Sequence, residues 1–177
     1  MRTKEARLLI DALAFAADKH RRQRRKDPEA SPYINHPISL ARVLSVEGRV
    51  RDVKVLAAAV LHDTLEDTET TYEELHERFG QTIAAVVREV TDDKTLSAPE
   101  RKRLQIEHAG QLSRRARLVK LADKTCNLRD LVTNPPHEWG LQRRRDYFDW
   151  AKKVIDPIRG TDKKLERAFD DAYAGRP

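Results

Sequence analysis

Apolar residues recur about every 3.6 positions along almost all of this chain, and no segment shows a convincing strict alternation. That period gathers them on one side of an α-helix. Its persistence predicts an all-α fold, a bundle of about nine helices with short connections and one core. Leu9, Leu13, Ala16 and Ala17 mark a first helix ending near Arg21. Pro37 suits a first helical position and opens a second through Glu47, with Ile38, Ala41, Val43 and Leu44 inward. Asp52 is placed to cap a third, running through Val55 and Ala59 into His62. Further helices are predicted over 71–79 (stopped by Gly80), 82–91, from Pro99, over 114–131, from beyond Pro136 to Ile155, and over 161–173.

A length of 177 residues suits one domain, able to bury roughly 70% of its unfolded surface. No Pro/Gly/Ser-rich linker or internal repeat divides it, and no apolar stretch is long enough for a membrane span. The N-terminal twenty residues carry acids and end without a small-residue cleavage site, which reads as an amphipathic helix and not as a signal peptide. The single cysteine, Cys126, excludes an internal disulfide framework and fits a reducing compartment, so a cytoplasmic location is expected. Thirty-five Lys/Arg against 29 Asp/Glu give a formal charge of +6, suited to a nucleic acid or to a small polyphosphate. Three basic runs, at 101–103, 114–117 and 143–145, read as solvated faces. The run from His20 to Lys26 differs, because it leads directly into Pro32-Tyr33-Ile34-Asn35-His36-Pro37.

The sharpest break in the apolar pattern follows Ala57-Ala58-Ala59-Val60-Leu61, where His62, Asp63, Glu66 and Asp67 arrive together. On a helix, spacings of four put all four side chains near one side of its end. Buried acids are normally paired or bound to metal. The cluster therefore reads either as a divalent-metal site with its water or as a solvated helix end whose acids adjoin. Pro37 steers His36 away from the α region into an extended conformation, suited to a metal ligand, a cap or a core side chain. Farther on, Leu118, Leu121, Leu128 and Val132 trace a core stripe, with Asp123 and Asn127 on a neighbouring face. Asp123 is either an acid at the core's edge, open to a site, or the ion-pair partner of Lys120 or Lys124. Cys126 reads as a small buried side chain, with no base at catalytic spacing. His20, His76, His108 and His137 lack comparable carboxylate neighbours and read as structural or exposed. Trp139, Tyr147, Phe148 and Trp150 read mainly as core, although Arg143 and Tyr147, four apart, share a side that can face a site.

Taken together, His36, His62-Asp63 and Asp123 match the H…HD…D pattern of the HD-domain metal-dependent phosphohydrolases. Longer strings sharpen this: Arg25-Lys26, the segment 32–37, HDTLED at 62–67 and VKLADKTCNLRDL at 119–131 resemble the hydrolase domain of the RelA/SpoT family. The resemblance covers almost the whole chain and is greatest to the stand-alone small alarmone hydrolases. It implies a single HD domain over 1–177, with a metal-binding core over about 20–132 and helices over 137–175 packed on it. It also implies one ion, usually Mn²⁺, held by His36, His62, Asp63 and Asp123. Glu66 and Asp67 correspond to the family's catalytic pair, which orients and deprotonates water. Arg25 and Lys26 correspond to its basic substrate pair, and Asn127 to a nucleotide contact. Arg143 and Tyr147 are similar to substrate-side residues of the stand-alone branch.

The implied activity is hydrolysis of (p)ppGpp to GDP or GTP and pyrophosphate, with a small anionic nucleotide as partner and neither nucleic acid nor membrane. Two departures stand beside the basic pair: Arg22-Gln23 replaces a usual Gly-Gln, and Asp27-Pro28 replaces small residues. They bear on the substrate loop and remove no proposed ligand. Rival readings are a phosphatase acting on another ribose phosphate such as that of NADPH, a basic helical nucleic-acid-binding module, and an inactive scaffold of the same fold. The module explains the basic runs, but these lack interleaved aromatics to stack bases.

Overall fold

The computed structural model describes residues 3–177. Its helices are α1 (Thr3–Lys19), α2 (Asn35–Arg42), α3 (Val53–Leu61), the single turn α4 (Thr64–Asp67), α5 (Tyr72–Phe79), α6 (Gln81–Val90), α7 (Ala98–Ala109), α8 (Arg114–Thr133), α9 (Leu141–Ile155) and α10 (Lys163–Ala174). A π-helical turn (Val43–Glu47) extends α2, and a 3₁₀ turn (Asp156–Ile158) extends α9. Among the described residues the nearest approach to a strand is an isolated antiparallel bridge between Arg24 and Pro32. The expected all-α bundle is the observed fold.

Starts and stops follow local chemistry. Asp52 accepts from the Lys54 amide at 3.0 Å, Thr71 from Glu74 at 3.1 Å, and Asp162 from both Lys164 and Leu165, each filling amides that a helix start leaves open. Ser97 and Glu100 form a reciprocal capping box at the start of α7. The centre of the bundle is α3. Every residue from Val55 to Leu61 is buried, with α1, α2, α6 and α8 around it. A helix that is apolar on all sides has nowhere else to go. Its last turn therefore delivers His62 to the edge of the core. Helix α8 lies across the same centre and also packs on α9 and α10.

Several local expectations give way. Helix α1 stops at Lys19, and Ala17 lies on its exposed side. Helix α2 starts at Asn35, so His36 is helical and not extended. The proline is tolerated because its missing N–H belongs to the first turn, where amides have no intrahelical acceptor. Ile38 and Val132 are 46% and 47% exposed instead of inward. The segment 136–140 stays outside α9. Most consequentially, α3 ends at Leu61, so His62, Asp63, Glu66 and Asp67 span a helix break instead of one continuous end.

The π turn is closed by the Gly48 amide, which donates to the Val43 carbonyl at 2.9 Å. A Cβ on Gly48 would meet Leu165 Cδ2 at 2.7 Å and the Leu44 carbonyl oxygen at 2.9 Å. Gly48→Ala should therefore overpack the junction between α2 and α10. The expected cost is about 1–3 kcal/mol, or a Tm lower by roughly 2–12 °C. An unchanged thermal melt would mean that this junction yields freely.

Candidate functional site

The break after α3 is built by local hydrogen bonds. Asp63 sits at φ −96°, ψ 0°, between helical and extended backbone. Thr64 Oγ1 donates to the Leu61 carbonyl at 2.7 Å, filling an acceptor that the end of α3 leaves open. His62 Nδ1 donates to the Ala59 carbonyl at 2.8 Å. This acceptor assigns the proton to Nδ1 and leaves the Nε2 lone pair facing outward from α3.

Nε2 of His62 lies 2.8 Å from Asp63 Oδ2, yet the two are not aligned as a hydrogen bond and the buried nitrogen has no other partner. His36 Nε2 is 3.3 Å from Asp123 Oδ1, and His62 Nε2 is 3.9 Å from the same oxygen. One donor atom from each of His36, His62 and Asp123 lies within 4.8 Å of the others. Donors that share one ion through bonds of about 2.0–2.2 Å stand about 3–4 Å apart. An orphaned buried nitrogen, a second imidazole and the Asp123 carboxylate thus fit a divalent cation, while Asp63 stands beside His62 but outside that group. Nitrogen and oxygen donors do not by themselves select which one.

Electrostatics point the same way. The inner cavity, about 250 Å³, is lined by five carboxylates (Asp63, Glu66, Asp67, Asp92, Asp123) and three cationic side chains (Arg25, Lys120, Lys124). A polyphosphate entering it meets net negative charge unless a cation is added. Burial works to raise the carboxyl of Asp123, but the Lys124 ammonium and the His36 contact hold it well below the usual range. Burial works against charge on His62, but Asp63 beside it more than reverses this and raises its pKa, and in that charged form the ring keeps Asp63 ionised against burial. Burial lowers the pKa of His36, which favours the neutral ring a ligand needs. Glu66 differs: burial raises its pKa, and a single amide bond only partly offsets this. That bond comes from Asp92 N to Glu66 Oε2, at 3.1 Å.

A larger outer cavity of about 690 Å³ opens beside the inner one, and Arg25, Tyr33, His36, Asp67, Asn127 and Tyr147 line both. The loop carrying Arg25 is pinned by Arg25 N to Ser31 O at 2.9 Å and Tyr33 N to Gln23 O at 3.2 Å. The site is thus an inner acidic chamber joined to an outer vestibule of mixed charge, where Arg24, Arg25 and Lys26 stand among four carboxylates and the rings of Tyr33, Trp139 and Tyr147.

An HD-domain family model matches residues 12–146. The guanosine-3′,5′-bis(diphosphate) 3′-pyrophosphohydrolase MESH1 of Xenopus tropicalis is 55% identical over 96% of this chain and 94% of its own length. This chain belongs to the RelA/SpoT-type HD-domain hydrolases. A solved structure of a metazoan SpoT orthologue, described as hydrolysing ppGpp, superposes with a TM-score of 0.92 at 51% identity, covering 96% of this chain and 95% of that one. The bifunctional (p)ppGpp synthase/hydrolase SpoT of Escherichia coli is 35% identical across 85% of this chain, which matches only 21% of that longer protein.

In this HD domain His36 comes from α2, His62 and Asp63 from the break after α3, and Asp123 and Asn127 from one face of α8. Asp123 satisfies both of its sequence readings. Oδ1 faces His36 and accepts from Asn127 Nδ2 at 2.7 Å, while Oδ2 pairs with Lys124 at 3.0 Å. Lys120 turns instead to the Val90 carbonyl, at 3.2 Å. Glu66 and Asp67 stand outside the donor cluster, and Asp67 is held by Gln23 at 2.9 Å and by Lys94. Arg25, Lys26, Asn127 and Tyr147 line the outer cavity. Arg143 lines neither cavity; it lies 4.3 Å from the centre of the Trp139 ring, which does line the vestibule.

Sequence reasoning did not assign roles to Tyr33, Gln23 or Asp130, whereas Lys124 is one of the two ion-pair partners it offers Asp123. Tyr33 Oη donates to Asp63, and Arg25 Nη2 donates to Asp130 Oδ2 at 2.5 Å. Tyr33 and Asp130 carried a signal, their places in the 32–37 and 119–131 strings. Of the departures near the basic pair, Asp27 accepts from Ser31 N at 2.9 Å and closes the loop, while Gln23, which the usual Gly-Gln pair shares, secures Asp67.

Proposed function

We propose that this chain is a metal-dependent (p)ppGpp 3′-pyrophosphohydrolase, with Mn²⁺ as its working ion and the cytoplasm as its location. Among the described residues no helix is long and apolar enough to cross a membrane. The single observation that carries the reading is the His36–His62–Asp123 donor cluster in the acidic chamber, which shares His36 and Arg25 with the vestibule beside it. Near-full-length similarity to pyrophosphohydrolases supports the choice of substrate. Residues over about 20–132 form the metal-binding core, and helices over 137–175 pack on it, so that 1–177 works as one domain.

His36, His62, Asp63 and Asp123 would hold the ion. When bound, it would polarise the phosphoryl group and acidify water. The side chains supply the remainder. Glu66 takes a proton from the attacking water, and Asp67 helps to orient that water. The water oxygen bonds to the proximal phosphorus of the 3′-diphosphate. The bond from that phosphorus to the ribose 3′-oxygen breaks, and this oxygen leaves with the electron pair and is protonated from solvent. Arg25 grips the diphosphate with its planar fork, and Lys26 adds a point charge at the vestibule. Asn127 and Tyr147 hold the ribose or base, and Arg143 supports that wall through Trp139.

The deciding experiment is incubation with ppGpp and Mn²⁺, with identification of GDP and pyrophosphate and a parallel chelator arm. Chelator-insensitive turnover would overturn the metal reading. Equal efficiency on other ribose-phosphorylated nucleotides, NADPH included, would overturn the substrate assignment.

Arg25→Ala should act mainly on binding. Losing hydrogen bonds to a charged group costs about 1.5–3 kcal/mol, so KM for ppGpp should rise roughly 10- to 100-fold with a smaller change in kcat. An unchanged KM removes Arg25 from the substrate clamp.

A further inference from the structure

The two candidate ligand histidines differ on the side turned away from the donor cluster. His62 Nδ1 donates to the Ala59 carbonyl at 2.8 Å. His36 turns Nε2 toward Asp123 Oδ1 at 3.3 Å, while its Nδ1, on a side chain 2% exposed, has no hydrogen-bond partner. A ligating histidine almost always gives its second N–H to a carboxylate, a carbonyl or a water. A carboxylate stands close by: Asp130 Oδ2 is 3.9 Å from His36 Nδ1. That same oxygen accepts from Arg25 Nη2 at 2.5 Å. One oxygen therefore has two claimants, and it serves the arginine.

Both neighbours are arranged for a change of partner. The Asp130 side chain is 45% exposed and has room to turn. Arg25 lines both cavities and is the group that an entering phosphate would draw away. Asp123, Asn127 and Asp130 follow one another at spacings of four and three on α8, so they share one face of a rigid helix. A side-chain rotation suffices, with no movement of the backbone.

We infer that Asp130 exchanges partners: it holds Arg25 in the free protein and closes on His36 Nδ1 when an anionic phosphate takes the guanidinium. Asp130 is then a positioning residue that couples phosphate binding to metal affinity. This inference rests on the metal-dependent phosphohydrolase reading above. The coupling is reciprocal, so a bound cation that favours Asp130 on His36 also frees Arg25 for substrate.

The test is a double-mutant cycle read as Mn²⁺ affinity of the full chain, by titration calorimetry without nucleotide. Arg25→Ala frees Asp130 and should tighten Mn²⁺ about 10-fold, the low end of the effect of an outer-shell partner. Asp130→Ala, which removes the acceptor, should by itself stay within about 2-fold of the unaltered protein, because Asp130 is engaged elsewhere. The Arg25→Ala/Asp130→Ala protein should bind like Asp130→Ala. Removing a nearby positive charge would by itself tighten binding whatever stands at 130. Equal tightening by Arg25→Ala in both backgrounds therefore overturns the exchange.

A second readout follows the proton directly, by nitrogen-edited NMR of the imidazoles with diamagnetic Zn²⁺. A protected His36 Nδ1–H signal should emerge in Arg25→Ala and be lost when Asp130→Ala is added; its persistence there overturns the inference. If the unaltered protein binds no Mn²⁺, the metal reading and the exchange fall together. If it binds Mn²⁺ and hydrolyses ppGpp while the variants act additively, the exchange alone falls.

Discussion

Asp123→Ala is expected to remove metal binding, activity and much of the stability together, and a second substitution should separate these losses. The first two follow from Asp123 Oδ1, which faces both His36 and His62. Losing a direct ligand should weaken Mn²⁺ by more than about 100-fold, the upper end for an outer-shell partner. The third follows from Oδ2. It is 3.0 Å from the Lys124 ammonium, with side chains 13% and 5% exposed. Burial alone would lower the pKa of Lys124, but Asp123 more than reverses this and keeps the amine charged. Stranding that charge costs about 3–5 kcal/mol, or a Tm lower by roughly 6–20 °C. Asp123→Ala/Lys124→Met should recover most of the stability and none of the metal binding. Asp63→Ala should lose metal equally with a milder melt, because the group it leaves behind is the Tyr33 hydroxyl and not an ammonium. Melting curves beside Mn²⁺ titrations check all three. Metal binding that returns with Lys124→Met would contradict Asp123 as a ligand.

Glu66→Gln should leave Mn²⁺ bound and lower kcat by about 10²–10⁴-fold, the contribution typical of a positioned base. The amide keeps the shape and can still accept from Asp92 N, but it cannot take the proton from water. Since burial raises the pKa of Glu66, the acid limb of kcat/KM should lie above the ordinary glutamate value of about 4.3. The active form is the carboxylate, so activity falls as pH drops through that pKa. Wild-type turnover by Glu66→Gln would assign the base elsewhere.

Much of the fold was legible because its determinants are local. Asp52, Thr71 and Ser97 act on amides two or three residues away, and the apolar run 55–61 could only be central. His36 misled because a rule about the residue before proline competes with a helix start that happens to include it. Ile38 and Val132 misled because periodicity places them near the apolar stripe, while only the neighbouring helices decide how wide that stripe must be. At the candidate site, the HDTLED string announced a histidine clustered with acids. It did not announce the helix break that separates His62-Asp63 from Glu66-Asp67, since Thr64 bonding to Leu61 is a choice the backbone makes in context.

By itself, then, the sequence determined the all-α class, the central apolar helix and which residue types gather at the candidate site. Periodicity, caps and spacing act over one or two turns and survive without knowledge of the rest of the chain. Tertiary structure alone decided the pairings of Tyr33 with Asp63, Gln23 with Asp67, Lys124 with Asp123 through one oxygen only, and Arg25 with Asp130 beside His36. Three of these join groups far apart in the chain, and the fourth turns on which carboxylate oxygen is left free. Their geometry exists only once α2, α3 and α8 have packed, because a hydrogen bond is sensitive to tenths of an ångström that no local rule encodes.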